Sequence, residues 1–125
     1  MKDFVIDLDY DGVLNLHKAL LETKFHLDPD NELVSGSPFV ADVSIQLREL
    51  LVQKDESGRW KSWFQLENQP YYRKRAVLRM RKHRQWEKAS SDEKKKIAER
   101  YLAPFICKEQ ELMEVIAEIS DPPGG

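Results

Sequence analysis

The segment from residue 71 to residue 88 carries most of the positive charge of a chain that is otherwise acidic. It reads YYRKRAVLRMRKHRQWEK, with eight Lys or Arg and a single acid, a net charge of +7. The whole chain carries −2, so the remaining residues carry −9. One side of the segment carries side chains at helical spacing: Tyr72, Ala76, Met80, His83 and Trp86. This spacing predicts a helix over 71–88 whose opposite side is almost wholly cationic.

Length and composition predict one folded domain. With 125 residues, 41% hydrophobic and 34% charged, the chain has enough apolar material for one core, which we expect over 1–120, with a flexible tail over 121–125. No apolar run approaches the length of a membrane span, and the start of the chain lacks the apolar region of a secretory signal. A single cysteine, Cys107, excludes an internal disulfide, and we expect it to be partly buried. These features favour a soluble, cytoplasmic protein.

The amino-terminal half contains two segments that we predict to be strands. In the first, alternation predicts a strand over 3–10. Asn15 is a reasonable N-cap for a helix over about 15–26, which a polar loop over 27–36 would follow. In the second, Trp60, Phe64 and Leu66 fall on one side and Trp63 opposite, which predicts a short strand over 59–66 after a turn.

The segment 38–53 fits two structures. Its alternation is typical of a strand, but Ser37-Pro38 resembles an N-cap followed by proline, and this slightly favours a helix. Further along, Ser90 and Glu93 form a capping box for a helix over 90–102, and helical spacing from Leu112 to Ile119 predicts a last helix before 121. We therefore expect an α+β fold, with a two- or three-stranded sheet from the amino-terminal half packed by helices and a helical carboxy-terminal half.

One acidic motif suggests chemistry. The sequence DYDGVLN, residues 9–15, resembles the first motif of the haloacid dehalogenase-like phosphohydrolases. The resemblance implies that Asp9 is a nucleophile and Asp11 an acid/base, with Mg²⁺ neutralising the carboxylates and the phosphate. The family also needs a late acidic pair after further strands, whereas the chain after residue 70 is predicted to be helical. We expect no enzyme and no cofactor, and we keep the phosphohydrolase as an alternative.

Metal sites are not expected either. Three carboxylates resemble a calcium loop, Asp7, Asp9 and Asp11, but the twelfth position, where a glutamate belongs, is Lys18. The three histidines and the cysteine do not have the close spacing of a structural zinc site. We therefore expect each of them to be a surface or packing residue: His17, His26, His83 and Cys107.

The basic segment suggests nucleic acid as a second alternative. Its cations could neutralise phosphates, and Tyr71, Tyr72 and Trp86 could stack on unpaired bases. The chain has a pI of about 5.9, so these cations could equally pair with carboxylates of the same chain. The candidate basic patch comprises Arg73, Lys74, Arg75, Arg79, Arg81, Lys82 and Arg84.

Segregated charge without a complete catalytic constellation favours protein interaction, because it promotes fast, oriented association. The sequence predicts an inhibitor or toxin-immunity type protein that binds a basic partner, such as a nuclease, through an acidic amino-terminal surface. That surface comprises Asp7, Asp9, Asp11, Asp28, Asp30 and Glu32.

Overall fold

The chain is built from helices. A computed structural model describes residues 6–26 and 32–120, without the side chains of residues 32 and 33. The helices are α1 (Tyr10–Phe25), α2 (Glu32–Ser35), α3 (Pro38–Lys54), α4 (Arg59–Trp63), α5 (Pro70–Met80), α6 (Ser91–Leu102) and α7 (Glu109–Ser120), with a 3-10 turn at Leu66–Asn68. These residues contain no strand, only one parallel bridge between Gln65 and Ile106. The described part of the chain is therefore all-α, and the prediction of an α+β fold is wrong.

The first helix begins earlier than predicted. Asp9 is its N-cap, because the Asp9 carboxylate accepts a hydrogen bond from the Gly12 N–H at 2.8 Å. Of the strand predicted over 3–10, residues 1–5 lie outside the described part of the chain, residues 6–9 form no regular structure, and Tyr10 is already helical. Within the described residues, the predicted strand is therefore absent and its last residue belongs to a capped helix.

The ambiguous segment is a helix, as the capping signal favoured. The Ser37 hydroxyl accepts from the Val40 N–H at 3.3 Å, and Pro38 occupies the first turn of α3. A narrow stripe of side chains on α3 is buried: Ala41, Ser44, Leu47 and Leu51. Phe39, Val43 and Leu50 remain exposed on another side.

The strand predicted over 59–66 is wrong, because this segment forms α4. The Asp55 carboxylate accepts from the Trp60 N–H at 2.7 Å and so supplies a partner for the first turn of that helix. Gly58 reverses the chain just before it with φ of 77°, a left-handed conformation that glycine adopts without strain. On a helix Trp60 and Trp63 share a side instead of facing apart.

The basic segment is helical only in its first half. The helix α5 ends at Met80, and residues 81–88 form successive turns, so the prediction of one helix over 71–88 is wrong. Lys82 and His83 donate their N–H groups three residues back, which tightens and ends the helix. The turns bury Trp86, whose indole N–H donates to the Ser120 hydroxyl at 3.3 Å on α7.

The two carboxy-terminal helices agree with the predictions. Ser90 caps α6 by accepting from the Glu93 N–H at 3.2 Å, and α7 ends at Ser120. The core forms where α1 packs on α3 and where α5, α6 and α7 pack on one another. Leu51, Phe64, Met80 and Val115 are completely buried within it.

Candidate functional site

Three of the six acidic residues assigned to partner binding have side chains that the structure describes. These three are exposed at the amino-terminal end of α1: Asp7, Asp9 and Asp11. Asp28 and Asp30 lie outside the described residues, and Glu32 opens α2 with a side chain that is not described. The structure therefore places half of the predicted acidic surface.

The carboxylate of Asp9, the candidate nucleophile, caps α1. A side chain at Gly12 would come within 3.2 Å of an Asp9 carboxylate oxygen and within 3.1 Å of Leu8, so glycine permits the close approach. In the phosphohydrolase motif the nucleophile follows a strand. Here it precedes a helix whose first turn also contains Asp11.

No metal centre forms in the described part of the chain, where no three His, Cys, Asp or Glu side chains are grouped so that they could hold an ion. Asp7, Asp9 and Asp11, the alternative ligands for Mg²⁺ or Ca²⁺, therefore form no such group. Cys107 is half-buried, as expected, and burial raises the pKa of its thiol to about 11. This cysteine is protonated at neutral pH and is a poor nucleophile.

Three of the seven members of the basic patch are used within the fold. Arg73 forms a two-pronged ion pair with Glu118 of α7, at 2.6 and 3.0 Å, and this pairing lowers the pKa of the Glu118 carboxyl. Arg75 donates to the carbonyl of Phe25 at 3.2 Å. Arg79 is buried and donates to the carbonyl of His26. These contacts join α5 to the end of α1 and to α7.

The remaining members of the basic patch face solvent. Arg81 is exposed and reaches the Glu118 carbonyl only at 3.4 Å. Lys74, Lys82 and Arg84 are exposed, and their side chains make no hydrogen bond or ion pair with any residue that the structure describes. The patch is therefore divided between arginines that join helices and a few free cations.

The structure reveals a cluster of rings around His17. This residue of α1 is only 2% exposed, and its ring lies 5.6 Å from Trp60, 5.5 Å from Trp63 and 5.2 Å from Phe64, all in edge contact. Burial, with a smaller contribution from Lys18, lowers the pKa of His17 to about 4, so its imidazole is neutral at pH 7. Its Nε2 is enclosed and has no hydrogen-bond partner.

Beside this cluster lies a concavity of about 910 Å³, which we call the α1–α4 groove. Its walls come from α1, from the end of α3 with the following turn, from α4, and from Tyr72 of α5. They are Tyr10, His17, Lys18, Leu21, Lys54, Asp55, Ser57, Arg59, Trp60, Trp63 and Tyr72. Its lining is mostly apolar and aromatic, with charged groups at three exposed positions: Lys18, Lys54 and Arg59.

A second concavity of about 370 Å³ extends the groove towards α5, and we call it the α1–α5 recess. The two share Lys18, Leu21 and Tyr72, so they are neighbours across the same side of α1. The recess adds Glu22, Phe25, His26, Tyr71 and Arg75 to the lining. The Arg75 guanidinium lies 4.6 Å from the centre of the Tyr71 ring, in the geometry of a cation–π contact.

The turn between α3 and α4 holds one wall of the groove in place. Both oxygens of the Asp55 carboxylate accept hydrogen bonds, one from the Ser57 N–H and hydroxyl and the other from the Trp60 N–H. These bonds, led by that from the Ser57 hydroxyl, lower the pKa of Asp55. On the opposite side, the Tyr10 hydroxyl accepts from the Trp60 indole N–H at 3.3 Å.

Away from the groove, Lys24 is a buried cation that joins three helices. Its ammonium donates to the carbonyls of Arg100 at 2.6 Å, Tyr101 at 3.1 Å and Ser35 at 3.3 Å, while the Ser35 hydroxyl donates to the Lys24 carbonyl. Burial lowers the pKa of Lys24 to about 7. Because the side chain is 2% exposed, its role is to cap the end of α6.

Sequence reasoning missed the groove because its walls come from distant positions and because α4 was predicted as a strand. His17 was expected to be a surface or packing residue, and it does pack among rings. The one local signal was the i, i+3 spacing of Trp60 and Trp63, which places two indoles on one side of a helix.

None of the helices in the described ranges is both long and apolar enough to cross a membrane. No protein-family model, curated protein or solved structure matches this chain.

Proposed function

We propose that this chain is a protein-interaction module that receives a large apolar side chain of its partner in the α1–α4 groove. The observation that supports this proposal is the groove itself, a concavity of about 910 Å³ with Trp60, Trp63 and Tyr72 in its walls. Ligand sites in proteins are typically concave, mostly apolar and roughly 300–1,000 Å³ in volume. Tyrosine and tryptophan are also the residues most enriched where interfaces derive their affinity.

The groove chemistry suits binding better than catalysis. The one histidine in its lining, His17, is neutral and has its Nε2 enclosed by rings. The Ser57 hydroxyl donates to Asp55, but the lowered pKa of Asp55 makes that carboxylate a weak base for activating a nucleophile. An apolar wall with fixed polar groups at its edge selects an occupant by shape and charge.

The interaction role belongs to the class that the sequence favours, but the surface is different. An inhibitor or immunity role through the acidic amino-terminal surface stays a prediction, and the use of the Asp9 carboxylate as a cap reduces what that surface offers a basic partner. Nucleic-acid binding by the basic patch also stays a prediction, with Lys74, Lys82 and Arg84 as its free cations.

Selection from a phage-displayed library of random ten-residue peptides tests the proposal. We expect the selected peptides to carry a large apolar residue and to bind the Tyr10→Ala variant about tenfold more weakly than the parent chain, measured by fluorescence anisotropy. Tyr10 lines the groove, is half exposed and makes one side-chain hydrogen bond, so its removal alters the groove with little effect on folding.

The matched control is Phe39→Ala, which removes an aromatic side chain that is 79% exposed on α3 and is absent from the groove lining. This variant should bind the selected peptides as the parent does. If no peptide is enriched, the groove is not the interaction site. The same conclusion follows if the Phe39→Ala variant loses binding while the Tyr10→Ala variant keeps it.

A further inference from the structure

We infer that the groove takes an extended, acidic segment of a partner protein, in which carboxylates flank a large apolar anchor residue. This inference rests on the proposed function and adds the chemistry and shape of the occupant. It follows from the charge of the lining, from the direction of the groove along α1 and from the packing of its aromatic rings.

The first argument is charge. Lys18, Lys54 and Arg59 are exposed around the groove, and their side chains form no hydrogen bond or ion pair within the described part of the chain. The groove and recess together are lined by four Lys or Arg and two acids, a difference of +2 in a chain of −2. The one carboxylate in the lining of the α1–α4 groove, that of Asp55, already accepts three hydrogen bonds. The free cations are therefore available to external carboxylates.

The second argument is shape. The α1 residues that line the two concavities follow one side of the helix from Tyr10 through His17 and Leu21, and His26 continues this stripe just after the helix ends. At about 1.5 Å per residue this stripe is roughly 24 Å long. An extended chain covers about 3.3 Å per residue, so the stripe matches about seven residues of a partner. A compact small molecule would fill only the α1–α4 groove.

The third argument concerns the rings. Single-stranded nucleic acids bind by stacking bases on open aromatic faces. Trp60 is packed within 5.6 Å of His17, Trp63 and Phe64, and Arg75 lies 4.6 Å from the centre of the exposed Tyr71 ring. These rings form a concave apolar wall in place of a stacking platform, which favours a protein segment as the occupant.

Two pools of fluorescein-labelled ten-residue peptides test the inference. Both have a central Trp, Phe or Leu, flanked in one pool by Glu, Gly and Ser and in the other by Lys, Gly and Ser. By anisotropy we expect the acidic pool to bind at least tenfold more tightly than the basic pool, and this preference should shrink in 0.5 M NaCl. The Lys18→Glu/Arg59→Glu variant should bind the acidic pool about tenfold more weakly.

The matched control is Lys82→Glu/Arg84→Glu, which changes the net charge equally at exposed residues outside the groove and should bind within twofold of the parent. Equal weakening by both double variants, or a basic pool that binds as well as the acidic one, overturns the inference. In those cases, loss of binding in Tyr10→Ala would still support the proposed function, whereas binding independent of Tyr10 would remove both. Tighter, groove-dependent binding of a labelled ten-nucleotide single-stranded DNA would identify nucleic acid as the occupant and overturn the inference.

Discussion

His17 lies beside the groove as a neutral imidazole, because burial among three rings lowers its pKa to about 4. The enclosed Nε2 has no hydrogen-bond partner, and a buried polar atom in that state destabilises the fold by about 1–3 kcal/mol. The residue therefore weakens the fold where the aromatic wall is formed.

Removing this histidine should remove part of the acid sensitivity of the fold. Between pH 6.5 and pH 4 the unfolded chain binds a proton at His17 that the folded chain does not, so the free energy of unfolding falls as the pH is lowered through this window. The loss is about 3 kcal/mol when complete. We expect the His17→Leu variant to lack this loss in urea titrations at pH 6.5, 5 and 4.

The control for this prediction is His83→Leu, at a histidine outside the His17 cluster, whose ring nitrogen contacts the Tyr101 hydroxyl. This variant should keep the acid sensitivity of the parent. An unfolding free energy that falls equally in the parent and in His17→Leu between pH 6.5 and 4 would mean that His17 is not kept neutral by burial.

Among the helices, α1, α2 and α6 are joined by one side chain, the Lys24 ammonium. The ammonium donates hydrogen bonds to the carbonyls of Ser35, Arg100 and Tyr101. It also lies at the carboxy-terminal end of α6, where the helix dipole favours a cation. The same burial that gives these bonds their strength makes the charged form unfavourable, which is why the pKa is lowered to about 7.

We expect Lys24→Met to lower the free energy of unfolding by about 3 kcal/mol at pH 6, because three carbonyls lose their donor in a buried place. Methionine refills much of the volume, so the effect reports the hydrogen bonds more than a cavity. The measurement is urea denaturation followed by circular dichroism.

The control is Lys18→Met, the same change at an exposed position of α1, which should alter stability by less than about 0.5 kcal/mol. Equal stability of the two variants would mean that the burial of the ammonium outweighs its three bonds.

In the whole molecule, the basic segment connects helices through three of its arginines. Its arginines reach α7 through Glu118 and the end of α1 through the carbonyls of Phe25 and His26. Part of the charge that dominates the sequence, that of Arg73, Arg75 and Arg79, thus holds helices together. The exposed cations of the groove come from other segments.

This division predicts a graded effect of alanine substitutions along the segment. Arg79→Ala should destabilise the chain by about 3 kcal/mol because Arg79 is buried and bonded, and Arg73→Ala by about 1 kcal/mol because its ion pair is partly exposed. Arg84→Ala should change stability by less than about 0.5 kcal/mol, since Arg84 is exposed and unbonded in the described residues. Thermal and urea unfolding of the three variants measure this, and a large loss in Arg84→Ala would contradict it.

Two of the three local capping signals in the sequence were reliable, whereas Asn15, predicted as an N-cap, lies inside α1. Ser37-Pro38 and the pair Ser90 and Glu93 each predicted the start of a helix, because a cap depends only on residues within about four positions. Alternation was not reliable over 6–10, the described part of the first predicted strand, or over 59–66. A strand requires a partner strand, and short apolar runs cannot show from their own pattern whether such a partner exists.

The sequence by itself determined the helical carboxy-terminal half, the start of α3 and the concentration of charge in residues 71–88. Only the tertiary structure decided that the fold is all-α, that most arginines of this segment bond within the fold, and that a groove forms. The physical reason is distance along the chain. The groove brings Tyr10 and His17 of α1 against Trp60 of α4 and Tyr72 of α5, and only the packing of those helices determines which side chains meet.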